Sequence, residues 1–405
     1  MTTDLTPPTV IEDQDGLEDL LDVLEDEDVI AVDTEADSFF SYREKVCLIQ
    51  ITAGDHDYLI DPLADIDLAD LGQFFADESK VKIFHDGEYD VLIMGRDYGF
   101  RFKNIFDTRL AASALGSQSP GLASVLEEHF DIVLDKSMQR SNWGERPLSE
   151  RQIDYARLDT HYLHELRLIQ RDELNRLGRH MILDGECRRL EALDTPAAVF
   201  NPDEWVRLKG ARALSPNSRQ ALRELFILRD ELAHKSDVPP FRIMNNNAIV
   251  EAAIARPDST QGIVDVHGFS WRQVRRIGEQ ILDALDRAED LGPLDDLPRL
   301  PPKDGTGGLD QIQMELFERL KSWRRDRSKD EQFDASLILN RHVLLRLVRS
   351  APSSMDELKA IEGLLEWQID RYGDSLLSAL EKFADDVAAG LIVPGRRKNG
   401  PRKRG

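Results

Sequence analysis

The chain has 405 residues, 41% of them hydrophobic, with 52 Lys and Arg against 76 Asp and Glu and a formal net charge of −24. That length exceeds one compact domain and suggests two or three, while the charge excludes a generally sticky polyanion binder, because phosphate backbones are held mainly by Lys and Arg. No apolar run approaches the ~20 residues that span a bilayer, no basic-then-apolar leader opens the chain, and Cys47 and Cys187 fit neither a disulfide framework nor a zinc spacing; the expectation is a cytoplasmic protein without membrane contact.

In chain order, residues 1–14 read as an acidic amino-terminal segment. Residues 29–32 are apolar and β-branched, the pattern of a buried strand, and Asp33-Thr34-Glu35 stands at its end. A loop with Phe39, Phe40 and Tyr42 follows, aromatics suited to stack on a terminal base. Further strands are expected over 46–52, where Cys47 reads as a buried thiol, over 57–60 and over 81–84. His85, which ends the last of these, is a candidate hydrogen-bonding residue, and Asp90 closes the run His85-Asp86-Gly87-Glu88-Tyr89-Asp90. Asp107 is expected to cap a helix beginning at Thr108, and Trp143 to anchor a loop before Arg146-Pro147. Residues 149–177 have helical spacing, with Ser149 as N-cap and Gly178 as stop.

Asp33 and Glu35 lie two apart on an extended chain and so point to one side. Tyr155 and Asp159 lie four apart on the expected helix and share a face. Buried like charges are costly unless a cation sits between them, and hard divalent ions, Mg²⁺ or Mn²⁺, take carboxylate and water oxygens. A phenol beside such a site is suited to orient an attacking water.

Asp33-Thr34-Glu35, Tyr89-Asp90 and Tyr155-Ala156-Arg157-Leu158-Asp159 resemble, in order and spacing, the three exonuclease motifs of the tyrosine-containing DEDD superfamily. Lys82-Ile83-Phe84-His85, Phe106-Asp107-Thr108 and Trp143-Gly144-Glu145-Arg146-Pro147-Leu148 resemble the connecting segments of the ribonuclease D family and of the related nuclear-exosome exonuclease. Asp86 and Glu88 depart from that pattern by adding carboxylates around the second motif; Asp90 is chosen because it follows Tyr89. The resemblance implies a ribonuclease-H-like α/β domain and a 3′-to-5′ exoribonuclease that releases nucleoside 5′-monophosphates from RNA 3′ ends, tRNA precursors among them. It further implies two divalent ions per site, about 3.5 to 4 Å apart, with Asp33 bridging them, Glu35 and Asp159 completing one, Asp90 holding the other through water and Tyr155 positioning the nucleophile. A DNA exonuclease is the alternative, and a catalytically silent RNA-binding scaffold a more distant one.

Beyond 193 the sequence matches itself at a constant offset of 95 positions: Arg229 with Arg324, Asn245 with Asn340, Pro257 with Pro352, Gly268 with Gly363 and Gly278 with Gly373. The match includes turn residues, so it marks two copies of one all-α unit. The first copy, with Val238-Pro239-Pro240-Phe241 and Val266-His267-Gly268, resembles an HRDC domain, which implies nucleic-acid contact. The expected division is an exonuclease domain over 15–192, a linker over 193–214, HRDC-like bundles over 215–290 and 309–390 with a Pro/Gly/Asp linker over 291–308 between them, and a basic tail over 391–405. Substrate-binding candidates are His85, Phe39, Phe40 and the basic patch Arg272, Arg275 and Arg276; Arg324, Arg325 and Arg327 form a second patch. RNA is the partner expected, and no stable protein partner is inferable from the residues.

Overall fold

A computed structural model describes residues 5–194, 199–300 and 305–392; the basic tail from Gly395 lies outside them. Six strands form one mixed sheet: β1 (Thr9–Ile11), β2 (Val29–Ala36), β3 (Val46–Ala53), β4 (His56–Ile60), β5 (Val81–Phe84) and β6 (Ile105–Asp107), in the order β1-β4-β3-β2-β5-β6. β3 pairs antiparallel with β2 and β4, whereas β5 runs parallel to β2 and β6. All eight residues of β3 are buried, Cys47 included, as an apolar strand covered on both faces requires. Gly54, at φ +56°, makes the two-residue turn from β3 into β4.

Among the described residues eight α-helices surround the sheet: α1 (Gln14–Asp26), α2 (Leu71–Ala76), α3 (Glu88–Tyr98), α4 (Thr108–Leu115), α5 (Leu122–Phe130), α6 (Glu150–His161), α7 (Leu163–Leu177) and α8 (His180–Glu191). Asp107 caps α4, accepting from the backbone N–H groups of Arg109 and Leu110, each at 2.9 Å. Trp143 is buried in the loop that Arg146 fixes through Asp61 and the Trp143 carbonyl.

Three sequence expectations are corrected. The acidic amino-terminal segment, given as separate from the exonuclease domain, joins its sheet: Thr9–Ile11 adds a parallel edge strand to β4, and Gln14 opens α1. Three residues are too few to show a period. The helix expected over 149–177 is two, because the chain turns at Tyr162; α6 is tied to the sheet by Thr160 Oγ1 to Thr52 Oγ1 at 2.7 Å, while α7 follows α4 and closes on Gly178 in the left-handed conformation. The residues assigned to the 193–214 linker include 3-10 turns over Pro202–Arg207 and Ala211–Ala213, and Trp205 is wholly buried in the first bundle's core.

That bundle comprises α9 (Pro216–Lys235), α10 (Pro240–Ile243), α11 (Asn246–Ala255), α12 (Thr260–Asp265) and α13 (Trp271–Leu291); the second comprises α14 (Gln311–Glu331), α15 (Ala335–Ile338), α16 (Arg341–Ser350), α17 (Met355–Lys359) and α18 (Glu366–Ala388). The repeat extends to individual hydrogen bonds. Arg229 donates to the Met244 carbonyl and Arg324 to that of Leu339, Gln273 to Ile243 and Gln368 to Ile338, and Asn245 and Asn340 each cap the helix that follows them. The copies pack differently. The second shares a continuous apolar core with the sheet domain, whereas the first has its own, into which the sheet domain sends Tyr42. Among the described residues no helix is long and apolar enough to cross a membrane.

Candidate active site

Strand alternation brings Asp33 and Glu35 to one side of β2, and a register irregularity after Glu35 ends the regular pairing with β3. Next to β2, the chain leaving β5 turns through Asp86 at φ +66° and Gly87, whose N–H donates to Asp107 Oδ2 at 2.8 Å. The turn must be glycine: a β-carbon on Gly87 would lie 2.5 Å from Phe84 Cβ. It places Asp90 in the first turn of α3, buried, where Thr34 Oγ1 donates to its Oδ1 at 2.5 Å. Opposite, α6 begins at a capping box in which Ser149 and Gln152 satisfy each other's backbone N–H groups. Tyr155 and Asp159 project from α6 one turn apart, and Trp143 packs on the Tyr155 ring at 6.0 Å.

Carboxylate oxygens of Asp33, Glu35 and Asp159 all lie within 4.8 Å of one another. With Asp90 and Tyr155 they line a cavity of about 380 Å³. Burial, then repulsion from Asp90, Asp159 and Glu35, drives the Asp33 carboxyl well above its ordinary range. Burial and the charges of Asp159 and Asp90 push Glu35 up to about 9. Burial raises Asp159 to about 7 and, against the pull of Thr34, Asp90 to about 6. Burial and the same carboxylates raise the Tyr155 hydroxyl, which stays a neutral phenol. Crowded carboxylates that hold protons for want of a counter-charge form a donor set of oxygen atoms that fits a hard divalent cation.

The other candidates separate. His85 lines the cavity, its Nδ1 2.8 Å from Thr108 Oγ1, and burial and the Arg109 charge lower it to about 3, leaving a neutral imidazole. Asp86 also lines the cavity, paired with Arg109 at 3.3 Å. Phe39 and Phe40 are not in the cavity wall: Arg140 covers the Phe39 ring at 5.9 Å, and Arg242 of the first bundle covers Phe40 at 4.4 Å. Arg272, Arg275 and Arg276 lie on α13, outside the cavity. In the second patch, Arg324 is tied to the Leu339 carbonyl and Arg327 to Asp330. Lys136, Gln139 and Arg109 also line the cavity and were not singled out from the sequence; the loop carrying the first two has no period that announces its direction.

Comparison with known proteins agrees with this geometry. A family model described as 3′-5′ exonuclease matches residues 8–175, and one described as HRDC domain matches 218–285 and again 313–380. A ribonuclease D from Zymomonas mobilis is 30% identical over 377 residues, covering 90% of this chain and 92% of its own. The chain belongs to the ribonuclease D family. It is a hydrolytic 3′-5′ exoribonuclease with a mixed α/β catalytic domain, a helical carboxy-terminal region and divalent-metal chemistry. The crystal structure of Escherichia coli ribonuclease D superposes with a TM-score of 0.67 at 26% identity, covering 93% of this chain and 99% of that one. The exosome complex exonuclease RRP6 of Saccharomyces cerevisiae is 31% identical over 96% of this chain, which spans 57% of that longer protein.

Proposed function

We propose that this ribonuclease D trims the 3′ ends of tRNA precursors and other structured RNAs in the cytoplasm, releasing nucleoside 5′-monophosphates, with Asp33, Glu35, Asp90 and Asp159 holding two divalent cations, Mg²⁺ or Mn²⁺. The convergence of the Asp33, Glu35 and Asp159 carboxylates in one buried cavity carries the reading. The likeness to a ribonuclease D described as an exoribonuclease involved in structured RNA processing supports the substrate. When bound, the cations polarise the scissile phosphate and lower the pKa of water. Asp33, whose carboxyl is acted on by the charges of Asp90, Asp159 and Glu35, would hold cations together with them. Tyr155, held as a phenol on α6, hydrogen-bonds the attacking water and fixes its line of approach. Water oxygen bonds to phosphorus, the P–O3′ bond breaks, and the shortened RNA leaves with a 3′ hydroxyl.

A labelled RNA with either end blocked, incubated with Mg²⁺, Mn²⁺ or chelator, tests the reading. Mononucleotides should appear from an open 3′ end only and with cation only; release from a blocked 3′ end, or in chelator, overturns it. Matched RNA and DNA strands in the same assay decide between RNA and DNA.

A further inference from the structure

The two helical copies can be compared position by position, and they use one face in opposite ways. In the second copy that face carries Leu337, Leu365 and Trp367 and is closed against α8: a β-carbon on Gly185 would lie 2.5 Å from Leu365 Cδ1 and 3.4 Å from Trp367 Nε1. Leu337 and Trp367 are buried, and Arg371 on the same helix is ion-paired with Glu331 at 2.5 Å. Ninety-five positions earlier stand Arg242 for Leu337, Ser270 for Leu365, Arg272 for Trp367 and Arg276 for Arg371.

In the first copy these arginines and the exposed Phe241 line an open cavity of about 470 Å³ whose wall contains no carboxylate. Among the described residues none of Arg242, Arg272 and Arg276 is in an ion pair, although Arg223 and Arg287 of the same bundle both reach Glu224. Three guanidinium groups outside any ion pair among the described residues gather around one cavity in a chain of net charge −24. Arg275, from the same basic patch, does not line this cavity; it lines a neighbouring one with Glu279 and Asp283, and Arg276 borders both.

The position of this face is fixed relative to the active site. Arg242 lies over Phe40, in the loop that leaves the strand carrying Asp33 and Glu35. Two residues on, the Tyr42 hydroxyl donates to Asp230 at 2.9 Å and the Tyr42 N–H to Asp237 at 3.1 Å, both at the first bundle.

We infer that the Arg242, Arg272 and Arg276 face takes the phosphodiester backbone of single-stranded RNA upstream of the 3′ end, while the matching face of the second copy braces the catalytic domain and takes none. This rests on the exoribonuclease reading and deepens it. Guanidinium groups suit phosphate oxygens, which they can bind in bidentate fashion, and the exposed Phe241 beside them offers a surface for a base, which a nucleic acid supplies.

The test uses the full chain. Arg272→Gln/Arg276→Gln, and the same pair with Arg242→Gln, are compared with Arg325→Gln in the second copy, on RNAs of ~20 and ~4 nucleotides. The expected result is a KM for the long RNA about tenfold higher or more, unchanged kcat, unchanged kinetics on the short RNA and normal behaviour of Arg325→Gln. In chelator the triple variant should bind long RNA with a salt slope smaller by ~2, from about 0.7 per lost single-strand phosphate contact. An unchanged KM and slope, the result if this face instead receives a protein, overturns the inference, as does an equal loss on both RNAs. The double variant leaves the Arg242 contact with Phe40 intact, so misfolding of the triple variant does not shield the idea. Wild-type protein that releases no nucleotide from either RNA would sink the exoribonuclease reading itself, independently of the variants.

Discussion

Asp33 faces three other carboxylates and has no cationic neighbour among the groups that set its charge, so its removal has two separable effects. Asp33→Asn should cut turnover by several orders of magnitude through the loss of shared cation binding; near-wild-type kcat in the purified variant would refute the assignment. It should also stabilise the metal-free protein. Folded-state values of about 9 for Glu35, 7 for Asp159 and 6 for Asp90 stand above the ordinary carboxylate value of about 4. The folded state therefore binds more protons than the unfolded one between pH ~4 and ~9, and the resulting stability is present below that window and lost as pH rises through it. Melting curves in chelator should fall from pH 5 to 9, Mn²⁺ should raise them most at the alkaline end, and Asp33→Asn should flatten the trend; melting that rises with pH in chelator contradicts the electrostatics. Tyr155→Phe deletes only a hydroxyl and should lower kcat by on the order of 10²-fold with little change in Mn²⁺ affinity, so a Mn²⁺ titration that collapses with it would make Tyr155 a ligand instead. The shared sides of Asp33 with Glu35 and of Tyr155 with Asp159 were legible because two periods, two along a strand and four along a helix, state where side chains point, whereas Asp90 was reached only through its place after Tyr89 in the motif the chain resembles. Phe39 and Phe40 were not, because a loop has no period, and their rings turned to arginines instead of the cavity.

Elements were legible in proportion to how many residues they bury. β2, β3 and β5 announce themselves by apolar runs, whereas β1 and β6, three residues each, exist because a neighbouring strand supplies their hydrogen bonds. The turn between β5 and α3 is set by fewer residues still, yet it aims Asp90. Gly87→Ala would bring a β-carbon to 2.5 Å of Phe84, the fully buried last residue of β5, which has no room to yield. The substitution should cost about 1–3 kcal/mol and, by shifting α3, reduce activity more than that loss of stability explains. Chemical denaturation with activity measured below the transition checks this; full activity together with full stability would show that the turn relaxes freely.

At the scale of the molecule the 95-residue offset revealed two copies but not their different attachments, because Leu365 and Trp367 fit a bundle core as well as they fit a seat on α8. The first bundle touches the catalytic domain through polar contacts at Tyr42 and a stacked arginine; the second is continuous with its core, with Arg179 donating to the Glu331 carbonyl at 2.7 Å and lying over the Phe333 ring at 5.2 Å. Removing the second bundle is therefore unlike removing a tethered module. A chain ending at residue 300 should expose the apolar face of α8 and melt lower by ~10 °C or more, since several kcal/mol are lost and each is worth about 2–4 °C in a domain of this size, or it should aggregate. Gly185→Leu, which wedges the same seam in the intact chain, should move the melting temperature in the same direction. Tyr42→Phe, which removes only the hydroxyl that reaches Asp230, should shift it by no more than about 4 °C, a loss of about 1 kcal/mol. If the shortened chain and Gly185→Leu melt like the full-length protein, the shared core is not a source of stability, and the second bundle is as separable as the first.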